Sequence, residues 1–201
     1  MSRTRSPIVT IDGPSGSGKG TISRAVARRT GWHLLDSGAL YRLVALAGAT
    51  AGLESVDERG HGEIAASMDA RFGSAPDGSE RVWLDGRDVT EAIRSEGAGQ
   101  GASRVAAWPA VRAALLGRQR AFARSPGLVA DGRDMGTVVF PGADLKIFLT
   151  ATPEERALRQ TRPVAPLRPA SDACVIDSTG IEIEAIVGRV LELMTARRLW
   201  P

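Results

Sequence analysis

The sequence predicts an α/β fold, three layers deep, built on a five-stranded parallel core sheet and carrying one small antiparallel insertion. Strand-like apolar runs alternate with helix-like periodic segments along most of the 201 residues, the βαβ rhythm of a parallel sheet. That rhythm breaks between about 62 and 108, where short alternating stretches are joined by the turn residues Pro76, Asp77 and Gly78. A hydrophobic content of 43% at this length supports a single domain over 1–201, with one well-buried core and 62–108 inserted within it.

The first strand, 8–12, is a short apolar run that opens into a glycine-rich turn. Residues 21–29 follow as a helix, with Ile22, Ala25 and Val26 on one face. A second strand at 32–36 leads into a helix from about 38 to 51, where Leu40, Leu43, Val44 and Ala47 share a face. Within the insertion, 69–73 and 81–89 read as two strands. Pro109 suits a first helical turn, and Val111, Ala114, Leu115, Arg118 and Phe122 carry that helix to about 123. Core strands return at 128–131 and 145–151. Thr152, Pro153 and Glu155 then have the spacing of a capping box with proline at the first helical position. The fifth core strand is 174–177, and Ile183, Ile186, Val187, Val190, Leu191 and Met194 mark a last amphipathic helix. Trp32, Trp83, Trp108, Phe140 and Phe148 are spaced like packing residues, Cys174 reads as a small buried hydrophobe, and Lys146 as a strand-end charge.

Composition excludes several function classes. No stretch approaches the roughly 18 apolar residues of a membrane span, and the polar residues 1–7 are not followed by a signal-peptide core. The expectation is a cytoplasmic monomer with no membrane partner. A single cysteine cannot form an internal disulfide, and His33 and His61 lack ligand spacing, so no protein-held metal is expected. The net charge of +3 calls for anionic partners, yet the basic residues are scattered and aromatics make up only 4%. Small phosphorylated ligands fit that pattern better than nucleic acid. Twenty-four of the 26 basic residues are arginine; one of the two lysines, Lys19, sits inside the glycine-rich turn. A compact ammonium on a thin stem fits a tight phosphate loop where a guanidinium fork does not.

The turn itself, Gly13, Pro14, Ser15, Gly16, Ser17, Gly18, Lys19, Gly20 and Thr21, lies between strand and helix as a phosphate-binding P-loop requires. Its glycines let successive N–H groups point at phosphate oxygens, and the next helix offers its positive end to the same charge. Lys19 is placed to reach the β and γ phosphates, and Thr21 to serve phosphate or hydrated Mg²⁺. The P-loop alone does not separate kinases from other nucleotide hydrolases and transporters.

Further blocks narrow the choice. The sequence 10–21, then 34–42 (Leu-Leu-Asp-Ser-Gly-Ala-Leu-Tyr-Arg), then 130–141 (Ala-Asp-Gly-Arg-Asp-Met-Gly-Thr-Val-Val-Phe-Pro), then 164–167 and 176–179 resembles the bacterial cytidylate kinases in order and spacing. The resemblance runs from about Ile8 to Leu193. It implies the P-loop kinase fold, with the insertion enlarging the region that binds the nucleoside monophosphate. It implies phosphoryl transfer from ATP, carrying Mg²⁺, to CMP or dCMP. Asp36, Ser37 and Arg42 would then grip the acceptor nucleotide, Ser103 and Arg112 would read the cytosine ring, Arg133 would hold the acceptor phosphate, and Asp134 would help to read the base. Arg159 would serve ATP and Arg162 the transferring phosphate. Judged without the resemblance, Asp36 and Ser37 are also good helix-cap residues, 131–134 a plain Asp-Gly turn, and Ser103 and Arg112 ordinary surface residues.

An acceptor phosphate is already ionised, so this chemistry calls for positioning and positive charge from Lys19, Arg42, Arg133 and Arg162 and for no general base. One departure from the family stands out. Relatives carry an arginine- and aspartate-rich helical lid between positions matching 159 and 163, where here only Gln160, Thr161 and Arg162 intervene. A true deletion, an engineered one, and a lid simply missing from the recorded sequence are the open explanations, the last being preferred because such lids are hinged. The alternative function is a nucleotide-binding protein whose turnover is weak or lost for want of the lid; a kinase for another monophosphate, such as UMP or AMP, also stays open.

Overall fold

The computed structural model describes residues 5–75, 79–152 and 167–201. In chain order its elements begin with β1 (Ile8–Asp12), α1 (Lys19–Thr30), β2 (His33–Asp36), α2 (Ser37–Thr50), α3 (Glu58–Ser67), β3 (Ala70–Ser74), β4 (Glu80–Leu84) and β5 (Arg87–Asp88). A 3₁₀ turn (Ala92–Arg94), α4 (Glu96–Val105), α5 (Pro109–Arg120) and β6 (Leu128–Gly132) follow. A π-helical turn (Met135–Val139), β7 (Leu145–Thr150), β8 (Cys174–Asp177) and α6 (Ile183–Ala196) complete the described chain. These residues form two compact units, Met1–Asp36 with Gln119–Pro201, and Ser37–Arg118.

The first unit holds the five-stranded sheet in the order β2-β6-β1-β7-β8, every pairing parallel. All residues of β1 and β6 are buried, as are the first five of β7, so the sheet is the middle layer of three, as expected. On one face Val9, Ile11, Val129, Leu145, Ile147 and Leu149 meet Ile22 and Val26 of α1 and Ile186, Val187, Val190 and Met194 of α6 in one apolar cluster. Register sets Asp12 beside Gly132 and Asp36 beside Asp131, bringing three acidic residues to the carboxyl edge, where open α/β sheets bind ligands.

The second unit contains the antiparallel sheet β3-β4-β5 and the helices α2 to α5. The expected insertion, 62–108, lies inside it. Here the structure corrects the sequence reading. The single strand expected at 81–89 is two strands joined by a tight turn at Asp85 and Gly86, both with positive φ (50° and 79°). Asp-Gly is the pair that tolerates such a turn best. Two helices went unforeseen: α3, capped by Asp57 accepting from Gly60 N at 2.8 Å, and α4, capped by Ser95 accepting from Ala98 N at 3.2 Å.

Two single-residue expectations also change. Lys146 is no solvated end charge: it is buried within β7 and donates to Asp172 Oδ1 at 2.8 Å. Cys174 is only half-buried, on an outer strand of the sheet, with the Arg197 guanidinium 3.8 Å from its sulfur. Trp32, Phe140 and Phe148 are core residues as expected. The helix start expected at Thr152, Pro153 and Glu155 runs past Thr152 into residues outside those described, and Arg159, Gln160, Thr161 and Arg162 lie there too.

Candidate active site

The loop 13–18 joins β1 to α1 with the geometry an anion cradle needs. Gly16 and Gly18 have φ of 80° and 83°, values open to glycine and strained for most residues. Gly13 is required for a second reason, since a Cβ there would meet Leu149 O at 2.5 Å. The loop is held from within by Ser17, whose Oγ donates to Pro14 O at 2.9 Å, and from β8's end by Ser178, whose buried Oγ donates to Ser17 O at 3.1 Å and Thr150 O at 2.8 Å. Gly18 caps α1 without any side-chain acceptor, so the first N–H groups of the helix keep their positive end for a ligand. Lys19 lies at the start of that helix, its Nζ 3.5 Å from Pro14 O, and Thr21 is exposed two residues on.

Charge around Lys19 is dense. Asp131, at the end of β6, is fully buried with Oδ1 lacking any hydrogen-bond partner among the described residues. Burial pushes its carboxyl up to about 7, against the pull of Lys19, while Asp36 adds repulsion that the cation Arg24 opposes. Asp12, ending β1, is pushed up to about 6 by burial, partly offset by two backbone donors: Met135 N and Gly136 N, each 2.8 Å from a separate carboxylate oxygen. Neither carboxylate was singled out from sequence. The signal that could have found them is an acidic residue at the end of each of two buried parallel strands, which a core does not tolerate without a task.

Arg133 follows β6 and turns back to the P-loop, its Nη2 donating to Ser15 Oγ at 2.6 Å. Burial holds its guanidinium below its usual range, opposed by the neighbouring Asp134. Asp134 opens the π-helical turn, accepting on its carbonyl from Val138 N (2.8 Å) and Val139 N (3.2 Å). The first unit thus holds the whole P-loop, Asp36, Arg133 and Asp134.

The remaining expected residues sit on the second unit. Ser37 is buried as the first residue of α2, so it opens the helix from within rather than capping it from outside. Arg42, one turn on, donates to Ile93 O at 2.8 Å in the 3₁₀ turn. Ser103 is exposed on α4 and donates to Gly99 O at 3.1 Å, and Arg112 on α5 donates to Ala106 O at 3.4 Å. Arg159 and Arg162 lie outside the described residues. Among the described residues no three histidines, cysteines, aspartates or glutamates are grouped so as to hold a metal ion, and no helix is long and apolar enough to cross a membrane.

What this arrangement can do is bind a polyphosphate on backbone N–H groups with Lys19 across it, and present Arg133 to a second anion beside the same loop. Comparison with known proteins agrees. The cytidylate kinase of Pseudomonas fluorescens (strain Pf0-1) is 49% identical over 220 residues, covering 95% of this chain and 96% of that protein. The cytidylate kinase of Stutzerimonas stutzeri (strain A1501) is 50% identical over 222 residues, with 96% and 97% covered. That of Pseudomonas aeruginosa (strain LESB58) is 51% identical over 215 residues, with 92% and 93% covered. Each alignment is longer than the 201 residues of the chain, so each sets gaps here against residues that the relative possesses. The family model described as cytidylate kinase matches residues 9–162. With most of its length matched by that model and half its residues shared with these relatives, the chain belongs to the cytidylate kinase family.

Proposed function

We propose that the protein transfers the terminal phosphoryl group of ATP to CMP or dCMP, giving ADP and CDP or dCDP. The observation that carries this reading is the 2.6 Å bond from Arg133 to Ser15, which sets a cation suited to an acceptor phosphate directly against the loop suited to the donor. ATP lies with its β and γ phosphates on the N–H groups of 15–20 and on Lys19, with Mg²⁺ arriving on the nucleotide and Thr21 placed for its water shell. Arg133 leaves Ser15 for the acceptor phosphate, assisted by Arg42 and Arg162, and Asp36 and Ser37 fix the acceptor nucleotide. Ser103, Arg112 and Asp134 select the base; each of the first two already donates to a backbone oxygen, so the ring competes with an intramolecular acceptor. Arg159 serves ATP. Transfer needs no proton removed from the acceptor, so bringing two anions into line against positive charge is the main task.

Small nucleotides are the partners in this reading, with no nucleic acid or membrane, and the protein acts as a cytoplasmic monomer. The residues present in the relatives and missing here belong, in our reading, to the lid between 159 and 163. A nucleotide binder without turnover is not favoured, because such a protein has little use for the retained set of Lys19, Arg42 and Arg133. The test is ADP formation from ATP·Mg²⁺ with CMP, dCMP, UMP or AMP. Turnover with CMP and dCMP well above that with UMP and AMP is expected; tight ATP binding with no turnover on any acceptor would overturn the proposal.

A further inference from the structure

We infer that Asp12 is a positioning residue for the acceptor side of the reaction: its carboxylate clamps the turn after Arg133 and Asp134 to the strand that feeds the P-loop. The inference rests on the proposed role of Arg133 and deepens it. Asp12 is the last residue of β1 and only 6% exposed. Its two oxygens are each used once, Oδ1 by Met135 N and Oδ2 by Gly136 N, both at 2.8 Å. Paired short bonds to an ionised acceptor hold direction as well as distance, and a buried carboxylate makes them strong. What they hold is the start of a π-helical turn, whose N–H to carbonyl pairs span five residues and which has little rigidity of its own.

The turn begins immediately after Arg133-Asp134. Both backbone ends of that dipeptide are therefore fixed, one by the β6 ladder to β1 at Gly132 and one by Asp12. The guanidinium can then swing from Ser15 to a bound phosphate without the backbone following. Gly136 is shaped for the clamp: a Cβ there would lie 2.9 Å from Thr10 Oγ1, 3.2 Å from Lys146 Cδ and 3.3 Å from Asp12 Oδ2. A buried Asp in an apolar strand is costly, and a strand residue with no ligand task would be better as Val or Ile. Here the cost is met by an arrangement that makes one strand carry both halves of the site, the donor loop covalently and the acceptor arginine through two hydrogen bonds.

Two variants and one spectrum test it. Asp12→Asn turns one oxygen into an NH₂ that faces the Gly136 N–H, and Gly136→Ala pushes the turn off an intact carboxylate. Each is expected to raise the KM for CMP and cut kcat/KM for CMP roughly ten- to a hundred-fold, the scale of an ångström-sized misplacement, with ATP affinity within about three-fold of the parent. In the Asp12→Asn background, Arg133→Ala should cost at least ten-fold less than it does alone, since the arginine is already misplaced. Independent, additive losses, or equal losses towards ATP and CMP, would sink the clamp as a positioning device and leave a fold-maintaining residue. Arg133→Ala with full CMP activity would instead overturn the role assigned to Arg133; the CMP KM of Gly136→Ala then decides the clamp alone.

Amide shifts of the full-length parent protein give a readout that needs no variant. The Met135 and Gly136 amide protons should titrate together, with a midpoint near 6, as Asp12 ionises among Lys19, Asp131, Asp134 and Lys146. Two amides that titrate with different midpoints across pH 3 to 8 would mean that one carboxylate does not hold the turn.

Discussion

Lys19 shows how much a single residue can reveal by its contrast with the rest of the chain. Where arginine fills 24 of 26 basic positions, lysine at the end of a glycine-rich loop marks a site with room for an ammonium and none for a fork. The structure supplies the walls: Pro14 O lies 3.5 Å from Nζ, and the buried Asp131 shares its field. Lys19→Arg keeps the charge and loses the shape. It is expected to lower kcat by about 10²- to 10³-fold, the usual cost of removing one well-placed donor to transition-state charge, while the apoprotein melts within a few degrees of the parent. Steady-state kinetics with saturating ATP and CMP read the outcome, and a loss of less than about three-fold would show that charge alone matters at this position. Asp12 and Asp131 were not legible in the same way. Their meaning comes from partners more than a hundred residues away in sequence, set by a strand register that no local pattern encodes.

Elements differ in legibility for physical reasons. Strands of the core sheet were read closely because buried parallel strands are plain apolar runs, and α6 because its apolar stripe is regular. Helix α4 escaped because glycine fills three of its ten positions, and glycine argues against helix by about 1 kcal/mol each. At Gly101 the structure shows what is gained: a Cβ there would stand 2.8 Å from Ala45 Cβ, so glycine lets α4 lie close against α2. Gly117, inside α5, has nothing within 4 Å of the same test position and no such role. Gly117→Ala should therefore stabilise by about 0.5–1 kcal/mol through helix propensity and chain entropy. Gly101→Ala gains the same propensity but overpacks the contact by about 1–3 kcal/mol, and the overpacking outweighs the gain, for a net loss of about 1 kcal/mol. Urea unfolding at unchanged slope should move the two midpoints in opposite directions. Parallel shifts would mean that α2 gives way at Ala45.

At the scale of the whole molecule the carboxyl edge of the sheet sets a pH dependence of stability. Asp12 and Asp131 have folded-state values raised from 3.8 to about 6 and about 7. The folded chain thus binds more protons than the unfolded one between those limits. Stability from these groups is fully present below about 3.8 and is lost as pH rises through 6 and 7. Asp88, Asp172 and Asp177 work in the other direction: held low by hydrogen bonds from Thr90, Lys146 and Thr179, they stabilise above the ordinary carboxylate range and lose that contribution as pH falls below it. These three are exposed, whereas Asp12 and Asp131 are buried, so the buried pair dominates above about pH 4. The nucleotide-free protein should melt at its highest temperature near pH 4, below which the buried pair is protonated in both states. At pH 8 it should melt lower by an amount worth a few kcal/mol, because each tenfold change in proton affinity is worth roughly 1.4 kcal/mol. Asp131→Asn, which removes the charge and keeps the shape, should raise the melting temperature at pH 8 and leave it unchanged near pH 4. Differential scanning calorimetry of parent and variant across pH 4 to 8 separates the possibilities. A parent curve that is flat from 5 to 8, with no gain in the variant, would mean that Asp131 reaches solvent when the nucleotide is absent; the predicted slope would mean that the edge of the sheet carries the burial cost of these carboxylates in the nucleotide-free protein.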